Sequence, residues 1–122
     1  MSDVILLIGG DKHFSDYNLM VDEILKMFSD VDPNTKLTIL CTDEKGASEL
    51  GLKLATANKL PTIVYPASLG ILNRVPDMLD FATDLIVFWD SEDIMTQQLI
   101  DFSYDSNLNV NVVYYKLDKI TG

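Results

Sequence analysis

The sequence predicts a single doubly wound α/β domain over residues 1–122, a Rossmann-like three-layer sandwich whose five parallel strands lie in the order 3-2-1-4-5. Three observations carry this. Val4–Ile8 and Asp84–Trp89 are almost wholly apolar, and short runs of this kind suit strands covered on both faces, as in a parallel sheet. Such runs alternate with stretches of helical spacing along the whole chain, and a βαβαβαβαβ order calls for helices on both sides of the sheet. The opening run leads through Gly9-Gly10 into Phe14-Ser15-Asp16-Tyr17, the strand–loop–helix start of a doubly wound domain with its ligand crevice at the strands' carboxyl ends. Right-handed crossovers then put the first strand in the centre.

The elements follow in order. Gly9-Gly10 lets the chain turn sharply and a ligand approach the backbone, and Ser15 is placed to cap the first helix. Within residues 16–29, Leu19, Met20, Ile24, Met27 and Phe28 keep helical spacing, leaving Asp22, Glu23 and Lys26 for solvent. Asp32-Pro33-Asn34 ends that pattern. Leu37–Cys41 reads as the second strand, Thr42–Gly46 as the loop above it and Ala47–Ala57 as the second helix, stopped at Asn58-Lys59. Leu60–Tyr65 is the third strand, with Pro61 confined to its start or to an edge. Pro66–Gly70 forms a loop before a shorter, irregular helix around Leu72–Ala82, in which Pro76 fits the first turn of the regular part. Asp84–Trp89 is the fourth strand and Asp90–Asp93 a loop and cap. The helix Ile94–Tyr104 follows, with Met95, Leu99, Ile100 and Phe102 as its apolar side. Asn107–Asn109 turns the chain into a fifth strand, Val110–Tyr115, and the tail from Lys116 is polar.

Charge narrows the partners. Nineteen acidic residues against nine basic ones leave a net charge of -10, a field that repels nucleic acid and anionic membranes. It serves solubility, or it meets a basic partner protein. No apolar run reaches the roughly 20 residues that span a bilayer, and the N-terminus lacks the basic region of a signal peptide. A cytoplasmic location is therefore expected, and the single cysteine, Cys41, agrees with a reducing compartment.

Several residues are candidates for a site, each beside a structural alternative. Gly9-Gly10 with Ser15 could cradle an anion near a helix N-terminus, or form a tight turn that serves only the fold. Lys12 and His13 share that loop, and His13 has no nucleophile to pair with. Cys41 ends the second strand, where a helix N-terminus would lower its pKa, but Asp43 and Glu44 oppose a thiolate and a buried core role is the better reading. Asp43, Glu44, Asp90, Glu92 and Asp93 fall in two loops at one edge of the sheet. They read as a solvated acidic rim and helix caps in preference to a magnesium site. Tyr65 and Trp89 end strands at the crevice, where they could stack on a base or pack under the loops.

Motifs along nearly the whole chain resemble the small SLOG-type domains of the YspA-like kind, and more distantly the LOG and lysine-decarboxylase-like Rossmannoid proteins. Gly9-Gly10 and Phe14-Ser15-Asp16-Tyr17 resemble that family's glycine loop and F-[ST]-D-[YW] start, with one additional residue between them. Lys45-Gly46-Ala47-Ser48 stands where the family has R-G-A-D, and Leu50 and Ala55 continue its helix. Tyr65-Pro66-Ala67 resembles its F-P-A, and Arg74 with Met78 its R-N-x-x-M, here with Val75 for Asn. The family's phosphate loops, G-G-A after strand two and G-G-x-G-T after strand four, are replaced by Thr42-Asp43-Glu44 and by Asp90–Ile94. Glycines let consecutive N–H groups converge on a phosphate, whereas five carboxylates repel it.

The resemblance implies binding of a nucleotide-derived small molecule at the carboxyl edge of the sheet, and the replaced phosphate loops imply that the catalysis of some relatives is lost. Two alternatives stand beside it: an acidic protein-interaction module that has lost its ligand, and a nucleotide N-glycosidase-type hydrolase with an altered phosphate loop. Gly9, Gly10, Lys12, Lys45, Gly46, Tyr65, Arg74, Trp89 and Ser91 are the expected ligand-binding residues. No catalytic residue, metal or cofactor is assigned. A homodimer is expected, since relatives of this fold dimerise through the helices flanking the sheet, here through Met78, Leu79, Phe81, Met95 and Leu99.

Overall fold

Five apolar runs become one all-parallel sheet of order β3-β2-β1-β4-β5. The computed structural model describes residues 3–66 and 71–115, with the side chains of 71–75 outside that description. Its elements are β1 (Val4–Gly10), α1 (Tyr17–Met27), β2 (Leu37–Thr42), α2 (Ala47–Ala57), β3 (Thr62–Tyr65), α3 (Ile71–Phe81), β4 (Asp84–Trp89), α4 (Ile94–Tyr104) and β5 (Asn109–Tyr114). The loop expected at 67–70, the side chain of Arg74 and the tail from Lys116 lie outside the described residues.

Alternation along the strands divides the core in two. Leu6 and Ile8 of β1 face the same side as Ile39, Cys41, Ile86 and Phe88, where Met20 and Ile24 of α1 and Leu54 and Ala55 of α2 cover them. Leu7 points the other way with Leu40, Leu85 and Val87, beneath Met78 and Leu79 of α3 and Ile100 of α4. Burial on both faces is why these strands are continuously apolar and not alternating. This is a Rossmann-like α/β sandwich with its central strands β1 and β4 sealed from water.

Four local expectations are corrected. Gly9 and Gly10 do not form the turn: they are the last residues of β1, paired with Val87 and Phe88 of β4, and the turn comes after them. Gly10 is required there, because at φ +139 a Cβ would run into the backbone of Phe88. Ser15 does not cap α1, since Asp16 does, its carboxylate accepting from the Leu19 amide at 3.0 Å. Pro76 sits inside α3 and not in its first turn, because the helix starts at Ile71; its ring removes a donor for the carbonyl one turn back. Finally, α4 buries Thr96, Ile100 and Ser103, whereas Met95 and Phe102 remain 48% and 46% exposed. A polar anchor at Thr96, described next, sets the rotation of that helix.

Candidate functional site

The strand order locates the crevice. From β1 the chain steps outward to β2 and β3, then returns to β4 on the other side. The loops after β1 and β4 therefore lead to helices on opposite faces, and open α/β sheets bind ligands in such a gap. A pocket of about 150 Å³ lies there. The end of β1, from Leu7 to Gly10, forms its floor. One wall holds Lys12 with Thr42, Glu44, Lys45 and Ser48 of the β2–α2 segment; the other holds Asp93, Met95, Thr96 and Leu99 at the start of α4, with Met78 of α3.

Asp11, the residue after the glycine pair, joins the turns beside this pocket. It is 2% exposed. Its main chain continues the ladder, with the amide bonded to Phe88 O at 3.0 Å. Its carbonyl accepts from the amides of Phe14 at 3.2 Å and Ala47 at 3.1 Å, so it starts the turn into α1 and takes the first amide of α2. The carboxyl group reaches the opposite side. Oδ2 accepts from the Asp90 amide and the Tyr115 hydroxyl, both at 2.8 Å, and Oδ1 lies 2.7 Å from Thr96 Oγ1. One side chain thus ties the β1–α1 turn to the β4–α4 turn and to the residue following β5. Gly46, the N-cap of α2, has φ +82, and a Cβ there would strike the backbone of Asp11 and Lys12.

The electrostatics follow from burial. Desolvation pushes the Asp11 carboxyl up against three hydrogen bonds that favour its anion, and the charge of Asp90 adds to the rise. Asp90 moves the other way: its Oδ1 accepts from the amides of Glu92 and Asp93, and these bonds hold it below the usual range. Tyr115 is raised by burial and then by its bond to Asp11. Its ring stands edge-on to Phe14 at 4.9 Å, and Phe14 stacks on Phe88 at 4.4 Å.

The expected site residues divide into two groups. Gly9, Gly10, Lys12 and Lys45 line the pocket, and both lysines are exposed and make no ion pair with a described residue. Gly46 supports the pocket from beneath Lys12. Tyr65 is half-buried against the apolar cluster under α3 and α4. Trp89 packs on that cluster too, donates from Nε1 to Asp93 O at 3.0 Å and leans on Tyr114. Ser91 is exposed with φ +74, at the bend of the β4–α4 turn. Arg74 lies outside the described side chains. His13 is exposed, and Cys41 is fully buried, its thiol pushed up to about 11 by desolvation.

The acidic loops meet only in part. Glu44 and Asp93 line the pocket from opposite walls. Glu44 Oε1 accepts from the Thr42 hydroxyl, and Asp93 caps α4 through the Thr96 amide at 2.9 Å. Asp90 is turned into its own loop, and Asp43 and Glu92 are exposed. Among the described residues no three His, Cys, Asp or Glu side chains come together as a metal requires.

Asp11, Thr96 and Tyr115 escape a reading of the sequence. Asp11 carries one weak signal, a carboxylate directly after the glycines that end the central strand. Thr96 sits in a helix whose apolar periodicity points elsewhere, and Tyr115 reads as the end of a strand. Comparison with known protein families, with curated proteins and with solved structures found no match.

Proposed function

We propose that this domain binds a small molecule through an anionic group, held in the crevice by Lys12 and Lys45. The observation that carries the reading is the pair of lysines, unpaired among the described residues, at the mouth of a pocket at the topological switch point. Ser48 and Thr42 add hydroxyls on the same wall, and α2, which has no side-chain cap, favours a negative charge near its N-terminus. On the other wall Met78, Met95 and Leu99 offer an apolar surface. A pocket of about 150 Å³ is below the ~300–1,000 Å³ of sites that enclose a drug-sized ligand. It takes one fragment, a phosphate or a ribose edge, and the remainder lies along the surface. A nucleotide-derived ligand is the class that the SLOG resemblance suggests.

Binding without catalysis is the form proposed. Asp11, the buried carboxyl nearest the pocket, turns its oxygens toward Thr96, Asp90 and Tyr115 and is not among the pocket's lining. Release of free base from AMP by the purified protein would contradict this. The binding test is calorimetry with inorganic phosphate, AMP, ADP-ribose and NAD on the wild type and on Lys12→Gln/Lys45→Gln. One of these ligands should bind the wild type, more weakly as salt rises, and lose at least tenfold in affinity in the double variant. Absence of binding, or equal binding by both proteins, would refute the reading.

A second reading rests on a different observation. Phe81, Ile94, Met95 and Phe102 are each about half or more exposed, at the end of α3 and along α4. Of the residues expected to pair two copies, Met78 and Leu79 are buried in the protein's own core and Leu99 packs partly buried against it, leaving Phe81 and Met95. Such exposed side chains favour a protein partner, a second copy or a basic chain.

A further inference from the structure

The Thr96 hydroxyl stands between two carboxyl groups, with Oγ1 2.7 Å from Asp11 Oδ1 and 2.6 Å from Asp93 Oδ2. Both are full O–H···O lengths, but a threonine hydroxyl has a single hydrogen. It serves one oxygen and leaves the other facing a lone pair. Thr42 shows how such a contact is ordinarily resolved: it meets Glu44 Oε1 at 3.0 Å and Ser48 Oγ at 3.1 Å, and the serine brings a proton of its own. Among the described residues no neighbour of Thr96 does that, because the remaining partners are spent. Oδ2 of Asp11 takes the Asp90 amide and the Tyr115 hydroxyl, and Oδ2 of Asp93 takes the Thr96 amide.

We infer that Asp11 holds a proton on Oδ1 in the folded protein and donates it to Thr96 Oγ1, which donates in turn to Asp93 Oδ2, so that one proton latches the β1–α1 turn to the first turn of α4. With that proton present, every donor in the cluster has an acceptor. The choice of Asp11 over Asp93 follows from their settings. Asp11 is 2% exposed, whereas Asp93 is half-buried at the N-terminus of α4, where the helix favours a negative charge. Burial also raises Asp11, as described above. The groups around it are Asp90 and Asp93 from the β4–α4 turn, Tyr115 from beyond β5, and Lys12 and His13 of its own turn. On the β2–α2 side the main chain of Gly46 and Ala47 meets its carbonyl, and Glu44 and Lys45 line the neighbouring pocket.

When the proton leaves, Asp11 and Asp93 become two anions with one hydrogen between them, and the latch weakens. Asp93 and Thr96 belong to the pocket wall, so the crevice loosens on its α4 side as pH rises. This goes beyond the proposed ligand and holds whether or not one binds.

The test uses the full chain with carboxyl-labelled aspartate, its Asp11 γ-carbon assigned by NMR, alongside Asp11→Asn. The amide of that variant reproduces the protonated pattern: Nδ2 donates to Thr96, and Oδ1 accepts from Asp90 and Tyr115. In the wild type, the Asp11 γ-carbon should stay in the neutral form above the ordinary carboxyl range. The folding constant, from urea unfolding, gives the second readout. A carboxyl raised in the folded state contributes stability that is complete below its unfolded pKa and lost as pH rises through the folded one. The ratio of variant to wild-type folding constants should therefore climb by up to tenfold per pH unit above the ordinary carboxyl range, then level off. Titration of Asp11 within the ordinary carboxyl range, or a ratio that does not change with pH, would overturn the inference. If Asp11→Asn does not fold, the wild-type titration decides alone.

Discussion

Replacing Tyr115 by Phe removes one atom from the node at Asp11 and should cost more stability at high pH than at low. The hydroxyl donates to Asp11 Oδ2 at 2.8 Å, while the ring keeps its edge contact with Phe14. Oδ2 retains the Asp90 amide, so the carboxyl is not orphaned and the change measures one bond. A hydrogen bond between neutral groups contributes about 0.5–1.5 kcal/mol net, and one to a charged group about 1.5–3 kcal/mol. The expected loss is thus about 1 kcal/mol where Asp11 is neutral, rising to about 2 kcal/mol where it is ionised. For a chain of this size each kcal/mol lowers Tm by roughly 4 °C. The Tyr115 hydroxyl is itself held above its ordinary value by burial and by Asp11, so it remains a donor throughout. Urea unfolding of both proteins from about pH 4 to about pH 8 measures the difference. An equal loss at every pH would mean that Asp11 does not change charge over that range. No loss at any pH would mean that the hydroxyl does not bond to Asp11 in solution.

Other outcomes follow from the same geometry. Glu44→Gln should strengthen anion binding. A charge roughly 8 Å from the bound group at an effective dielectric near 20 opposes it by about 2 kcal/mol before screening, so the gain should shrink with salt, as calorimetry would show. Gly10→Ala should destabilise the fold by at least about 1–3 kcal/mol in urea unfolding, since φ +139 and the Phe88 backbone leave no room for a Cβ. Cys41 should react with an alkylating reagent at neutral pH only as fast as the protein unfolds, because its thiol is buried and raised to about 11. Light scattering at high micromolar concentration should show a dimer, and Met95→Lys/Phe102→Lys, at two exposed positions, should return it to monomer and remove any dependence of Tm on protein concentration.

How much of this was legible depends on the range of the interactions. The strands could be read because their chemistry is local: two buried faces demand an unbroken apolar run, and Asp84–Trp89 and Val4–Ile8 offer nothing else. Helices α2 and α4 could be bounded to the residue for the same reason. The cap of α1 was misplaced by one position because Ser15 and Asp16 are both good caps, and only the path of the chain selects Asp16. Pro76 lies beyond the first turn because the helix begins at Ile71, five residues before it.

The pocket was half legible. Gly9, Gly10, Lys12 and Lys45 could be named because loops after central parallel strands converge wherever the strand order reverses, and that order follows from the pattern. Asp11, Thr96 and Tyr115 could not. They lie 85 and 104 residues apart along the chain from Asp11, and no periodicity marks a polar residue that is buried because its partner arrives from another element. The sequence by itself determined the sandwich and its strand order, which depend on composition and short-range spacing. The tertiary structure alone decided that a carboxyl group lies buried beside the crevice, bonded to one amide and two hydroxyls, because hydrogen bonds across a fold exist only once the strands have brought their partners together.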